Sequence, residues 1–372
     1  MSLTNDLYTS TLTIDLDVVA ANYTLISDRI APSGAVSGAA VKADGYGLGV
    51  KPVVRALWAA GCRDFFVAHP GEGIAVREEL KDARVHVLNG PISNAINDYV
   101  YHDLIPVLNS LDDIALWQHA CRDRNRKFKA DIHIDTGMCR LGLDLTETQT
   151  LLSDAPALLD NIDVQLVMSH LASADDVNSP QSAQQLSMFK SAFDKLGIGK
   201  PSLCNSSGVF LGPDYHFELA RPGIALYGGN PTPHTDNPMG NPVTLTTRLL
   251  QVRQVGPGEA VGYGAAYDVK SPMKVATVAI GYADGFHRIG SDTGFATIDG
   301  HKAPIIGRVS MDLITLDVTN IPEHACDTGA IATFIGPDRT PDDLARDWQT
   351  IPYEVLTGLG RRYRRVYTGN GA

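Results

Sequence analysis

Short apolar runs alternate with stretches of helical periodicity from the start of the chain to about residue 240. Leu12-Thr13-Ile14-Asp15-Leu16 alternates as a strand does, and a helical period follows from about Asp17 to Ile30. A run of small apolar residues, Ala35 to Val41, then delivers Lys42 into a glycine-rich turn. Val50 to Ala60 reads as a helix stopped by Gly61, and Asp64 to Ala68 as a buried strand. The pattern repeats at Val85–Leu88, Leu104–Leu108, Ala130–Ile134, Val164–Met168, Ser202–Cys204 and Phe217–Ala220. The clearest helices between them are Leu111 to Arg124, with Ser110 and Asp113 as a capping pair, and Gln181 to Leu196. Counted from the Ala35–Val41 run, eight strands separated by helices predict an α/β fold of (β/α)8 TIM type. After about Pro242 the texture changes to β-rich alternation, as in Val243–Arg248, Val275–Ile280 and Leu313–Asp317, with glycine-rich turns between. A C-terminal, mainly-β domain is therefore expected, as a sandwich or small barrel. The predicted division is 11–240 and 241–372, with residues 1–10 as candidates to cross over to the second domain. The polar, proline-rich Asn230–Pro238 is expected to be a linker that cannot enter a core.

Barrels of this kind carry their sites at the carboxyl ends of the strands. Lys42 ends strand one, Arg140 follows strand five, His170 ends strand six, Asn205-Ser206-Ser207 follows strand seven and Arg221 ends strand eight. An ammonium at a crowded, partly dry strand end has a lowered pKa, which frees the amine to form an imine with a carbonyl compound. Phosphate is expected near the loops after strands seven and eight, where Ser206-Ser207-Gly208 offers hydroxyls and amides and Gly223-Ile224 offers further amides.

Composition narrows the setting. The 372 residues are 20% charged and 44% hydrophobic, with a formal net charge of -11. Acidity argues against a nucleic-acid partner; the one basic cluster, Arg361-Arg362-Tyr363-Arg364-Arg365, is what ordinary pairing or solvation accommodates. Met1 to Asp6 lacks the plan of a signal peptide and no apolar run approaches membrane-spanning length, so a cytoplasmic enzyme without a membrane partner is expected. Five scattered cysteines form no Cys-x-x-Cys pair, which predicts reduced thiols and no zinc site. His133-Ile134-Asp135 could begin a metal-ligand set, yet no second histidine pair follows at a strand end, and no metal is expected.

The motifs themselves carry a resemblance. VKADGYGLG (Val41 to Gly49) is similar to the cofactor-lysine motif of the alanine racemases, pyridoxal-phosphate enzymes that interconvert L- and D-alanine. HIDTGMCRLG (His133 to Gly142), SHLASAD (Ser169 to Asp175), NSSG (Asn205 to Gly208), RPGIALYG (Arg221 to Gly228), VGYGAAY (Val261 to Tyr267), IGYADG (Ile280 to Gly285), GRVSMD (Gly307 to Asp312) and PYEV (Pro352 to Val355) follow in the family's order. The resemblance implies pyridoxal 5'-phosphate joined to Lys42, its phosphate held by Tyr46, Ser207, Gly223, Ile224 and Tyr353. It implies a homodimer with a shared site, in which Lys42 works on one face of the α-carbon and Tyr263 of the neighbouring subunit on the other.

Racemisation needs a proton removed from one face and another delivered opposite, so two acid/base groups are required. A phenol titrates near about pH 10, so Tyr263 needs help; a Tyr263, His170 and Arg221 relay is implied, with Arg221 also meeting the pyridine nitrogen and muting the cofactor as an electron sink. Arg140 would contact the cofactor's phenolic oxygen and the substrate carboxylate, Met311 would offer its amide to that carboxylate, and Tyr282 would line the access route. One departure stands out: many family members have a carbamylated lysine seven residues before the arginine of DTGM-x-RLG, and this chain has His133. Arg140 must then be oriented by His133 itself, by Asp135 or by a bound anion. The implied activity supplies D-alanine for peptidoglycan or consumes it. The alternatives are a racemase of serine or of broader specificity, a related decarboxylase, and a non-catalytic pyridoxal-phosphate-binding barrel, which would lack the β domain and Tyr263.

Overall fold

The computed structural model describes residues 7–370; Met1 to Asp6, on which the leader expectation rests, and residues 371–372 lie outside the described residues. Two compact units emerge. One draws on the chain up to Val18, on Tyr227–Gly229 and on everything from Asn241 onward; the other is Val19–Leu226 with Asn230–Gly240.

The chain enters through β1 (Ser10–Asp15), a strand of the first unit whose alternating burial places Leu12 and Ile14 inside. The second unit is the barrel. Its strands are β2 (Val36–Ser37), β3 (Ala39–Ala40), β4 (Asp64–Val67), β5 (Arg84–Val87), β6 (Leu104–Leu108), β7 (Phe128–His133), β8 (Ile162–Met168), β9 (Lys200–Ser202) and β10 (Leu219–Ala220). β3 through β9 form one parallel sheet in sequence order. The ring closes through β10, which pairs β2 in parallel, while the Glu218 and Arg221 amides donate to Pro201 and Cys204 oxygens at 3.1 and 2.8 Å. The strand predicted over Ala35–Val41 is thus two pieces joined at Gly38, where a Cβ would stand 2.9 Å from the Phe66 ring.

Parallel strands covered by helices are buried on both faces, which is why β4 and β6 read as unbroken apolar runs. The helices match their signals. Leu111–Asp123 begins where the Asp113 amide donates to Ser110 Oγ at 3.1 Å, and Gln181–Leu196 ends on a left-handed Gly197.

One expectation fails. The Asn230–Pro238 stretch was to stay out of any core, but Pro231 is buried, and Met239 just beyond packs with Ile26, Ile30 and Val209. Asn230 folds the stretch on itself, accepting from the Thr232 amide at 2.8 Å and donating to the Thr235 carbonyl at 2.9 Å, so its backbone needs are met locally. Asn22 then fastens the exit, donating to the Gly240 carbonyl and accepting its amide, both at 2.8 Å.

The β-rich unit is built on β11 (Val243–Val255). Its first half pairs β1 and its second half, beyond a bulge at Leu249/Gln251, pairs a different strand. The remaining strands are β12 (Ala260–Val261), β13 (Tyr267–Asp268), β14 (Met273–Val278), β15 (Phe295–Ile298), β16 (His301–Pro304), β17 (Ile314–Asp317), β18 (Ile331–Ile335) and β19 (Arg364–Thr368). The main sheet runs β16-β15-β18-β11-β1-β19, with β14 joining β11 to β17. Two short helices, Pro341–Asp347 and Pro352–Gly358, complete the unit. No helix among the described residues is long and apolar enough to cross a membrane.

Candidate active site

Lys42 follows β3 at the carboxyl end of the barrel and opens a turn wound in the left-handed sense: φ is +54° at Ala43, +55° at Asp44, +64° at Gly45, +55° at Tyr46, +81° at Gly47 and +97° at Gly49. Glycines adopt such angles freely, but Ala43, Asp44 and Tyr46 each pay roughly 1–2 kcal/mol. The turn is held all the same. The Ala43 amide donates to Glu72 Oε1 at 2.6 Å, the Val50 amide to Asp44 Oδ1 at 2.8 Å, and the Gly47 amide to the Ala43 carbonyl at 2.7 Å. Burial, and after it the positive charge of Arg140, holds the Lys42 amine below its usual range.

The other barrel candidates gather at the same strand ends. Arg221 is buried after β10; its guanidinium donates to Ser202 Oγ and to the Ser169 carbonyl, and burial lowers its pKa to about 10. His170 is held well below the ordinary imidazole value by burial, then by Arg221, Arg140, His133 and Lys42. His133, ending β7, is lowered to about 4 by burial and Arg221, with Arg140 adding to it and Asp135 opposing. Burial together with the charges of Arg221 and Arg140 therefore lowers both histidines, and Arg140 lowers Lys42. The nearest carboxylates are occupied: Glu72 also accepts from the Ala68 amide, and Asp135 accepts from the amides of Gly137, Met138 and Cys139, each at 2.9 Å. Such a cluster invites an anion. No group of three metal-ligating side chains occurs among the described residues.

Ser202 and the Ser169 carbonyl take the Arg221 guanidinium, and no hydrogen bond between His170 and Arg221 is among those made by the described residues. Of the hydroxyls expected near the phosphate, that of Ser206 is taken up by the loop itself, because Oγ accepts from the Gly223 amide at 2.9 Å and the Ala225 amide at 3.2 Å. Ser206 thus shapes the loop, with Ile224 buried beside it. Gly223 is required by contact: a Cβ there would stand 2.1 Å from Tyr46 Oη, so its hydrogen lets the phenol in. Ser207 lines a cavity of about 390 Å³ together with Arg29, Phe210 and Pro231. A cradle of hydroxyls and close-approach glycine beside a depressed lysine fits pyridoxal phosphate, which asks for an amine and a phosphate site together.

The candidates of the β-rich unit lie on its surface. Tyr263 sits in the loop of the β12–β13 hairpin and is 73% exposed. Tyr282 and Met311 are brought together, since the Tyr282 amide donates to the Ser310 carbonyl and the Ala283 amide to the Met311 carbonyl, both at 3.0 Å. Tyr353 stands in the first turn of Pro352–Gly358, partly exposed.

Comparison with known proteins closes the question of kinship. The family model for the alanine racemase N-terminal domain matches residues 14–231, and that for the C-terminal domain matches residues 242–367. The chain belongs to the alanine racemase family. It is similar to the alanine racemase of Rhodospirillum rubrum, 46% identical over 365 residues that cover 98% of this chain and 97% of that one. It is 45% identical to a catabolic alanine racemase of Agrobacterium fabrum, over 97% of this chain and 92% of the relative. Among solved structures, an alanine racemase from Bartonella henselae with covalently bound pyridoxal phosphate superposes with a TM-score of 0.93 at 38% identity, over 97% of this chain and 99% of that one. The biosynthetic alanine racemase of Pseudomonas aeruginosa gives 0.90 at 30% identity, over 98% and 100%. Because the alanine racemase C-terminal match covers the β-rich unit, the chain is not a single-barrel member lacking that domain.

Proposed function

We propose that this chain is a pyridoxal-phosphate-dependent alanine racemase that works with two bases, one of them lent by a second copy of the chain. The carrying observation is the Lys42 amine, depressed by burial and by Arg140 at the end of the first barrel strand. When bound, pyridoxal phosphate draws electrons away from the amino-acid α-carbon and so acidifies its proton. Lys42 anchors the cofactor and, once released from it, takes or returns that proton on one face as a free amine. Tyr46, Ser207, Gly223 and Ile224 hold the phosphate, with Arg221 at the ring nitrogen and His170 beside it. Arg140 presents a planar fork of donors to the substrate carboxylate.

Tyr263, Tyr353, Met311 and Tyr282 enter this reading from the family resemblance. The shared site is further supported by exposure: Tyr263, Tyr282, Met311 and Leu313 are large side chains left at the surface of one chain. The enzyme is expected to act in the cytoplasm. Chiral analysis of products from a panel of enantiopure amino acids, with pyridoxal phosphate added, tests the reading. Conversion of either alanine enantiomer to a racemic mixture supports it, whereas carbon dioxide release or no turnover of alanine overturns it.

A further inference from the structure

Asn109 lies immediately after β6, outside every motif, yet its side-chain amide makes three contacts that determine the chemistry of His133. Nδ2 donates to the carbonyls of Leu88 at 3.0 Å and Val107 at 2.9 Å, which uses both its protons. Oδ1 faces His133 Nδ1 at 2.8 Å. Turning the amide over would set Oδ1 against two carbonyl oxygens, so its orientation follows from its neighbours. An amide oxygen only accepts, and Nδ1 must therefore carry the proton. With the pKa of His133 lowered to about 4, first by burial and then by Arg221, no second proton is present at neutral pH. Nε2 is left as a lone pair in the midst of cations.

Arg140 is carried by a loop that leaves β7 at His133 and returns to it. The Leu143 amide donates to the His133 carbonyl at 2.8 Å, the Asp135 amide donates to the Leu143 carbonyl at 2.9 Å, and a Cβ at Gly142 would come within 3.2 Å of His133 Cδ2, the carbon bonded to Nε2. Arg140 itself makes no hydrogen bond among the described residues and is exposed, so its five donors are available to the site. We infer that Asn109 and His133 are a pair of positioning residues: Asn109 locks the Nδ1–H tautomer, which leaves His133 Nε2 as the acceptor that the unbonded Arg140 guanidinium takes up when it turns to receive the substrate carboxylate. That the carboxylate is alanine's rests on the racemase reading; the tautomer does not.

Nitrogen-15 NMR of the histidine-labelled holoenzyme between pH 6 and 8, with the His133 signals identified by their loss in His133→Gln, reads the tautomer directly. A protonated Nδ1 and a bare Nε2 are expected, and Asn109→Leu should mix the two forms. In kinetics, Asn109→Leu and His133→Leu should each raise KM for alanine by about tenfold, the size of one charge-assisted hydrogen bond, with kcat within about threefold. His133→Gln, whose amide oxygen can also accept, should recover most of that loss. A proton on Nε2 at neutral pH, or an unchanged KM in both leucine variants, would overturn the inference. If the leucine variants fail to fold, the wild-type spectrum decides. An enzyme with the expected tautomer and no activity on alanine would sink the proposed function and leave the pair intact.

Discussion

In the barrel unit Arg221 is turned inward and tied down, 6% exposed and bonded to Ser202 and Ser169, whereas in the β-rich unit Tyr263 is 73%, Met311 53% and Tyr282 44% exposed. The difference is chemical as well as geometric. Inward groups are desolvated and perturb one another: burial lowers Arg221, and burial with neighbouring positive charge lowers Lys42, His133 and His170. Groups at a surface wait for something to cover them. On the proposed shared site, the barrel would hold the cofactor and one base, and the second unit would contribute its exposed groups to the site of another copy.

The largest effect should come from the barrel side of this contrast. Lys42→Ala is expected to abolish both the visible absorbance of bound cofactor imine and turnover, by about 10⁴-fold or more. A variant keeping wild-type rates would end the assignment. Tyr263→Phe tests the surface side and should lower racemisation by about 10²- to 10⁴-fold. Since the two enantiomers are equal in energy, kcat/KM must fall equally in both directions, and the asymmetry has to be sought elsewhere. In deuterium oxide one enantiomer should still exchange its α-proton through Lys42 while the other does not. Exchange lost equally from both enantiomers would argue against opposed bases. Dilution to monomers should likewise remove activity, and a fully active monomer would exclude a shared site.

How far the sequence carries differs between the two units for a physical reason. The barrel strands were legible because strands buried on both faces must be apolar runs, and the helices because their caps are local. The anchoring residues were not. Asn109 reaches Leu88 and His133, and Ser202 reaches Arg221, all distant in sequence, and one polar residue in or after a strand resembles any other. The left-handed Ala43, Asp44 and Tyr46 were equally hidden, since only their glycine neighbours advertise such a turn. Asp64, His86 and Asp131 did leave a trace: each interrupts or borders an otherwise apolar barrel strand. A polar residue in that place needs a buried partner, and the three find one another.

That trio gives the next, smaller effect, confined to the barrel. His86 Nδ1 meets Asp131 Oδ2 at 2.6 Å and Nε2 meets Asp64 Oδ1 at 3.2 Å, with Arg84 closing the far side of Asp64 at 2.6 Å. Burial disfavours the charge on His86, but the two carboxylates outweigh it and raise the imidazole to about 9. Burial likewise opposes ionisation of Asp64, yet His86 and Arg84 bring it down to about 2. The signs fix the pH window. The His86 contribution is complete below its unfolded value near 6.5 and is lost as pH rises through about 9; that of Asp64 is complete above about 3.8 and is lost as pH falls through about 2. His86→Ala leaves the buried Asp131 carboxylate without its cation and Asp64 with Arg84 alone, and should cost about 3–5 kcal/mol. Denaturant unfolding of a Trp348→Phe background, which keeps Trp58 and Trp117 as barrel reporters, measures it. A loss below about 1 kcal/mol, or the same loss at pH 10 as at pH 6, would contradict the ion-pair account.

The smallest effect belongs to the surface side again and shows why exposed motif residues still need local order. Arg362 reaches Asp284 Oδ1 with Nε at 3.0 Å and Asp312 Oδ1 with a terminal nitrogen at 2.7 Å, joining the turn that carries Tyr282 to the loop that carries Met311. Asp284 is nearly buried and also accepts from the Gly281 amide at 2.9 Å, while Asp312 is half exposed, so the two arms are unequal. Breaking the outer arm with Asp312→Asn should change stability by less than about 1 kcal/mol, as solvent-exposed pairs do. Arg362→Ala also leaves the buried Asp284 carboxylate with one amide alone, so its cost should exceed that of Asp312→Asn. Because neither change touches the barrel, KM for alanine should rise a few-fold while the cofactor spectrum stays as it was. If Arg362→Ala instead bleaches that spectrum, the two units do not divide the work in the way their exposure indicates.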